Sequence, residues 1–444
     1  MTNNIIELTP FRADLTRALT RQGERLLAST DLAEEVAELE PLEAYYIVRE
    51  IGLNQALPIL LELSPEQLET CIDLDCWNRF DFAADSLDEW LTAFALAGSE
   101  TLATSFFSLS HVVQLLFLTQ TVTVYDPDTD QVPPEDEESD TRRAMTPDGF
   151  YLLELKTELP LKIHPFSLLD AMYQYDPTAT HLLLSEVRVD LPTQIEEEAL
   201  RFRSGRMQDI GFVTPDEATV LFSRPARQPL PRPQKPIDNA ITRLPSVYAA
   251  PLIETTLFQR ALSLITDQEY LSLLEQEIVW AINSAVIAYG EKTQEIKQIT
   301  DIAERVRDTI SLGLESLLAS QETNLALDSP AAAAQAAGLL NIWCITDLFR
   351  HGFAATLSLR QEVQQAMQSP GFSDWYNLPE TEQSDEPADR LERAFITALL
   401  KRHPLHSGFD PASAESVKAF ANLAEINLAH TRLKKLIARI DCQA

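Results

Sequence analysis

The sequence predicts a mainly α-helical protein. It has stacked, α-solenoid-like helices in the N-terminal half, a proline-rich linker, and a helical bundle in the C-terminal half. Three observations predict this. Apolar residues recur at helical spacing through nearly the whole chain. Ser or Thr caps recur, either before a proline or three residues before a Glu. Only 12 glycines occur in 444 residues, and strand-like alternation is confined mainly to 121–125 and 150–155. With 45% hydrophobic residues the chain can bury cores, and its length suits two or three domains.

Taken in order, residues 1–30 are an amphipathic N-terminal segment, with a helix over 10–28 that carries Arg12, Arg17, Arg21 and Arg25. Residues 31–125 are a helical-repeat domain. Its units EVAELEPLEAYYIVREIG, ALPILLELSPEQLETCIDLD and SLDEWLTAFALAG each have one apolar face, so they must stack on neighbours. Capping boxes are expected at Asp31/Glu34, Ser86/Glu89, Thr193/Glu196 and Thr266/Glu269, and cap–proline helix starts at Ser64, Thr214 and Ser329. The uncharged run Thr101–Tyr125 reads as a buried helix followed by a β-branched segment. Its many Ser, Thr and Gln residues and the lack of flanking Lys or Arg argue against a membrane span.

Residues 126–147 are an acidic linker, with eight acids and no base over 126–140. Residues 148–224 are a second helical segment packed on the first. Within it, a helix from Thr193 to about Ile210 ends at Gly211 in the left-handed conformation. Residues 225–245 are a proline-rich linker, with five prolines over 225–236. Residues 246–444 are an all-helical domain. It includes a small-residue helix, Ser329–Gly338, that permits close approach of a neighbour, and a final helix over about 412–440.

The formal net charge is −33, from 35 Lys and Arg against 68 Asp and Glu. Such a surface repels nucleic acid and anionic membranes. Four cysteines (Cys71, Cys76, Cys344, Cys442) are too few and too irregular for a disulfide framework. The first thirty residues have no apolar secretion-signal core. There is no glycine-rich phosphate loop, Gly-x-Ser-x-Gly elbow or His-Glu-x-x-His. The expectation is a cytoplasmic protein without a cofactor, a nucleic-acid partner or membrane insertion. It acts as a scaffold or regulator by binding another protein rather than as an enzyme, and the sequence leaves the oligomeric state open.

Three stretches carry a resemblance to a known family: LEPLEAYYIVREIG; LSPEQLETCIDLDCW with DFAADSLDEWL; and EEEALRFRSGRMQDIGF with PDEA. They resemble a bacterial family known only as domain-of-unknown-function family 6178, and no activity follows from that resemblance. The Leu-Ser-Pro-Glu-Gln-Leu run is also similar to the cytosolic helical superhelix of magnesium-channel regulatory domains.

Two constellations are candidate sites. Asp73, Asp75 and Trp77 precede Asp81, Asp85 and Asp88, and on a helix the last three share one face. Clustered carboxylates can ligate a hard cation or supply a base, which makes a divalent-cation sensor or metal-dependent enzyme using Asp73, Asp75, Asp81 and Asp85 the competing reading. The second is a local cationic excess that includes Arg201, Arg203 and Arg206. It either receives an anionic partner or pairs internally with first-domain acids, and the bidentate arginine fork favours internal pairing. Arg201 has Glu197 as an i, i+4 partner. Weaker patterns are a calcium-loop echo at Asp126, Asp128, Asp130 and Glu137 without the turn glycine, and a zinc-like set of His403, His406, Asp410 and His430.

Overall fold

The structure is a computed structural model describing residues 10–78, 80–132, 142–156, 160–229, 248, 256–289, 296–320, 326–378, 387–407 and 417–442. The protein is mainly α: 71% helical, with 20 helices among the described residues and a few short strands. It divides into two compact units. The first is Met1–Gly211 with Pro245–Val247 and Lys292–Ile296; the second is Phe212–Leu244, Tyr248–Glu291 and Lys297–Ala444.

The first unit starts with α1 (Pro10–Leu27), α2 (Leu32–Ala37), α3 (Pro41–Ile51), α4 (Leu57–Glu62) and α5 (Pro65–Asp75). α3 packs between α1 and α5 and buries Tyr45, Tyr46, Ile47 and Val48. Ser64 caps α5 in a complete box with Gln67. The Gln67 amide also donates to the carbonyls of Val36 and Leu39, both at 2.8 Å, tying α5 to the end of α2. The hairpin β1 (Trp77–Asn78) and β2 (Asp81–Phe82) leads into α6 (Ala84–Ala95), α7 (Ser99–Ser108) and α8 (His111–Thr121). The Thr101–Tyr125 run is therefore two helices and a strand rather than one helix and a strand, because Leu109 and Ser110 are extended.

The strands β3 (Val122–Tyr125), β4 (Arg143–Met145) and β5 (Leu152–Leu155) form an antiparallel sheet in the order β3-β5-β4. Arg143–Met145 falls in the stretch read as acidic linker, yet it is an outer strand; three residues are too few to display a period of two. The unit closes with α9 (Pro165–Tyr175), α10 (Pro177–Val189) and α11 (Pro192–Asp209). α9 packs on α7, and α11 packs on α8 and α5. Gly211 follows at φ 79°, the left-handed stop expected of it.

Cap–proline starts occur as read at Ser64, Thr214 and Ser329, each accepting a backbone N–H. The four capping boxes without a following proline do not form. Asp31 makes no side-chain cap, α6 starts at Ala84, α11 starts at Pro192, and Asp267 rather than Thr266 accepts from Glu269 and Tyr270. A proline at the first helical position fixes both the dihedral and the register of the start, whereas a lone Ser or Thr leaves several registers open.

The second unit contains α12 (Pro215–Val220), α13 (Leu257–Leu262), α14 (Gln268–Tyr289), α15 (Ile296–Ser320), α16 (Pro330–Ile342), α17 (Ile345–Ala366), α18 (Pro370–Asn377) and α19 (Pro387–Leu400). The hairpin β6 (His406–Ser407) and β7 (Val417–Lys418) and the final helix α20 (Leu423–Asp441) complete it. The final helix starts at Leu423, capped by Asn422, and not near 412 as its sequence suggests. Its core gathers Leu312, Leu359, Phe372, Phe395, Phe420 and Leu433. α14 is long and apolar enough by length and composition to cross a membrane, and half of it is buried inside the protein. The proline-rich linker lies mostly outside the described residues.

Candidate functional site

The first unit places the two candidate constellations against each other. α11 lies on α5, so its arginines reach the acids at the end of that helix. Arg206 grips the Asp73 carboxylate with two hydrogen bonds, Nε at 2.7 Å and Nη2 at 3.0 Å, and its Nη1 lies 3.1 Å from Glu69. Arg203 donates from Nε to the Asp73 carbonyl at 2.9 Å and stacks its guanidinium over Trp77 at 5.1 Å. Burial pushes the Asp73 carboxyl up, and the two guanidiniums oppose it. Arg201 stays outside this network. It is exposed, and its guanidinium lies 5.1 Å from the centre of the Phe202 ring rather than on Glu197.

Asp75 has its own shell. Its Oδ1 accepts from the Tyr45 hydroxyl at 3.2 Å, and its Oδ2 accepts from Trp90 Nε1 at 2.7 Å and Arg49 Nη1 at 3.2 Å. Burial raises its pKa against these three donors. Cys71 and Cys76 beside it are buried and their thiols are pushed up, first by burial and then by Asp75, which removes thiolate chemistry at neutral pH. Trp90→Phe removes the indole donor together with part of a fully buried ring. It is expected to destabilise the protein by about 2 kcal/mol or more in urea titration, from the lost hydrogen bond to a buried carboxylate and the lost packing. A loss below about 0.5 kcal/mol would show that Tyr45 and Arg49 satisfy the carboxylate alone.

The carboxylates do not converge. Asp81 sits exposed on β2, so the helical face expected for Asp81, Asp85 and Asp88 is not built. Asp85 is exposed and accepts from the Ser86 amide. Asp88 turns inward to hold the backbone amides of Lys162 and Ile163 at 2.6 and 3.0 Å. Among the described residues no group of three His, Cys, Asp or Glu is placed to hold a metal ion. Arg188 occupies the calcium-loop echo, donating to Asp130 at 2.7 Å; Glu137 and Asp410 lie outside the described residues. His430 is bound to Glu362 at 3.0 Å, and His403 lies among aromatic rings.

Next to Arg206 is a cavity of about 220 Å³ lined by Ser110, Val112, Val113, Ala199, Phe202 and Arg206. The Ser110 hydroxyl is buried there without a hydrogen-bond partner. It stands at the N-cap of α8 yet makes no cap. Phe202 forms one wall and is 46% exposed. Leu182 (57%), Val189 (70%) and Leu191 (59%) are also exposed. Leu182 and Val189 are two turns apart on α10 and share one side of it, and Leu191 is the extended residue just before α11. Nothing local marks Phe202 or Ser110 in the sequence, since their exposure and burial depend on where α8 and α11 meet.

A family match covers residues 8–442. The chain belongs to a family of unknown function (DUF6178). No curated protein and no solved structure matches it. For this DUF6178 protein the residues themselves are the guide. Asp73, Asp75, Trp77, Arg203 and Arg206 form an internal network, and the open chemistry nearby is a small cavity walled by the exposed Phe202.

Proposed function

We propose that this protein is a cytoplasmic, non-enzymatic helical scaffold or regulator that binds a protein partner through the face formed by α10 and α11. The single observation carrying the reading is the exposed Phe202 on the wall of a cavity of about 220 Å³, with Leu182, Val189 and Leu191 exposed on α10 and at the start of α11. The partner is a basic amphipathic helix. Its apolar stripe covers these four side chains, and one aliphatic anchor enters the cavity. Its cations answer the exposed Asp190, Glu196, Glu197 and Glu198 that border the face. The buried Asn283, which accepts from the Tyr248 hydroxyl at 2.6 Å, and the buried Ser284 support α14 as a core helix rather than a membrane span.

The test begins with affinity capture from the native host, followed by titration of the purified partner against wild-type protein and Leu191→Ser and Phe202→Ser. Each substitution is expected to weaken binding by about tenfold or more. Raising salt from about 50 to about 300 mM is expected to weaken it further. Equal affinity for the wild type and both variants would refute the proposed face. So would recovery of the same proteins on the wild type and the double variant.

A further inference from the structure

The second unit holds a group of cations without acidic partners among the described residues. In a chain with 68 acids against 35 bases, a partly buried arginine readily finds a carboxylate, as Arg393 does in Asp389 and Arg432 in Glu392. Three arginines depart from this. Arg305 on α15 lies over the Tyr289 ring at 5.8 Å. Arg360 on α17 donates from Nη1 to the Arg402 carbonyl at 3.4 Å, while its buried Nε has no partner. Arg402 is exposed just beyond the end of α19. None of the three has an ion pair among the described residues.

His403 lies at the centre of the group. Its ring is 4.4 Å from Phe222, 4.5 Å from Tyr289 and 5.7 Å from Phe353, centre to centre, and both ring nitrogens are buried without a partner. Burial, followed by the charges of Arg402, Arg305 and Arg360, lowers its pKa to about 4, and among the described residues no carboxylate offsets them. Arg305 lies over the Tyr289 ring that touches His403, Arg360 reaches the carbonyl of Arg402, and Arg402 precedes His403 in the chain, so three separate segments bring an arginine to one aromatic wall, which lowers the local dielectric and strengthens each charge.

We propose that Arg305, Arg360 and Arg402 form a binding site for a phosphoryl-class oxyanion. A carboxylate needs one guanidinium fork. Three unpaired forks match a phosphate, which carries a charge of about −1.5 to −2 at neutral pH and three acceptor oxygens. Charge-assisted hydrogen bonds from Arg305, Arg360 and Arg402 hold those oxygens, and the Arg360 Nε supplies a donor that nothing else satisfies.

The experiment is isothermal titration calorimetry of the full chain at constant ionic strength. Inorganic phosphate is one titrant and glycerol 3-phosphate, a phosphate monoester, the other; potassium chloride is the control. Saturable heat is expected with a phosphate and not with chloride. Tighter binding of the ester identifies an organic phosphate as the ligand, and tighter binding of the inorganic ion identifies free phosphate. Arg305→Gln and Arg360→Gln are each expected to weaken binding by about tenfold or more, and Arg390→Gln, an exposed arginine elsewhere in the same unit, to leave it unchanged. The exposed Arg402→Gln reads the same site without risk to the fold. No saturable heat up to about 10 mM of either phosphate would overturn the proposal. Unchanged affinity in Arg402→Gln or in a folded Arg305→Gln/Arg360→Gln double variant would also overturn it.

Discussion

Alanine in place of Gly313 or Gly352 is expected to destabilise the second unit by about 3 kcal/mol or more. The two glycines mark the point where α15 and α17 cross backbone to backbone. A Cβ added at Gly313 would stand 1.9 Å from the carbonyl oxygen of Leu348, and one added at Gly352 would stand 1.9 Å from that of Thr309. Both obstacles are main-chain atoms already fixed in a helix, so no side chain can swing aside to relieve the clash. The helices would have to separate, opening voids along a close-packed interface. Urea titration followed by circular dichroism checks this, with Gly338→Ala as the contrast. A Cβ at Gly338 meets nothing within 4 Å, so that change is expected to be neutral or to gain about 0.5–1 kcal/mol through helix propensity. Similar effects at all three positions would show that the helices do not cross this closely.

The second large effect is expected from Arg206→Ala, about 3 kcal/mol at neutral pH. Asp73 is 1% exposed, and without Arg206 it loses two hydrogen bonds and its nearest cation. The pH dependence has a definite sign. Burial already raises the Asp73 carboxyl above its ordinary value, so the folded state holds this proton more firmly than the unfolded chain does. Stability from such a group is present at low pH and is lost as pH rises through the folded pKa. Removing Arg206 raises that pKa further, so the deficit of Arg206→Ala is expected to grow between about pH 4 and pH 7. Urea midpoints at several pH values measure it. Arg201→Ala, which removes an exposed side chain outside the network, is expected to cost no more than about 0.5 kcal/mol. A deficit for Arg206→Ala that is flat with pH would show that the Asp73 carboxylate is not what the arginine neutralises.

Local chemistry was readable where a proline or a glycine fixes the backbone. Ser64, Thr214 and Ser329 start helices because the proline after each fixes the register, and Gly211 stops one because the left-handed conformation suits it. The acidic cluster illustrates the limit. Asp81 and Asp85 have the spacing of helical neighbours, but Asp81 lies on β2 of the hairpin and Asp85 in α6, and two-residue strands leave no periodic signal. The small-residue helix Ser329–Gly338 offered the obvious place for a close helix approach. Its alanines Ala332, Ala333 and Ala336 are buried, but the backbone contact lies at Gly313 and Gly352, where single glycines sit in otherwise ordinary amphipathic helices.

Apolar spacing and caps, being properties of neighbouring residues, determined that this chain is mainly helical and where several helices begin. Its composition determined a surplus of acids. Tertiary structure alone decided which acids are neutralised, since Arg206 and Asp73 are 133 residues apart. It also decided that Phe202 is exposed, that Arg305 lies over the Tyr289 ring beside His403, and that Arg360 reaches the Arg402 carbonyl. The physical reason is range. Hydrogen bonds along a helix connect residues four apart, whereas burial, charge pairing and exposure are set by whichever distant segments the packed cores bring together.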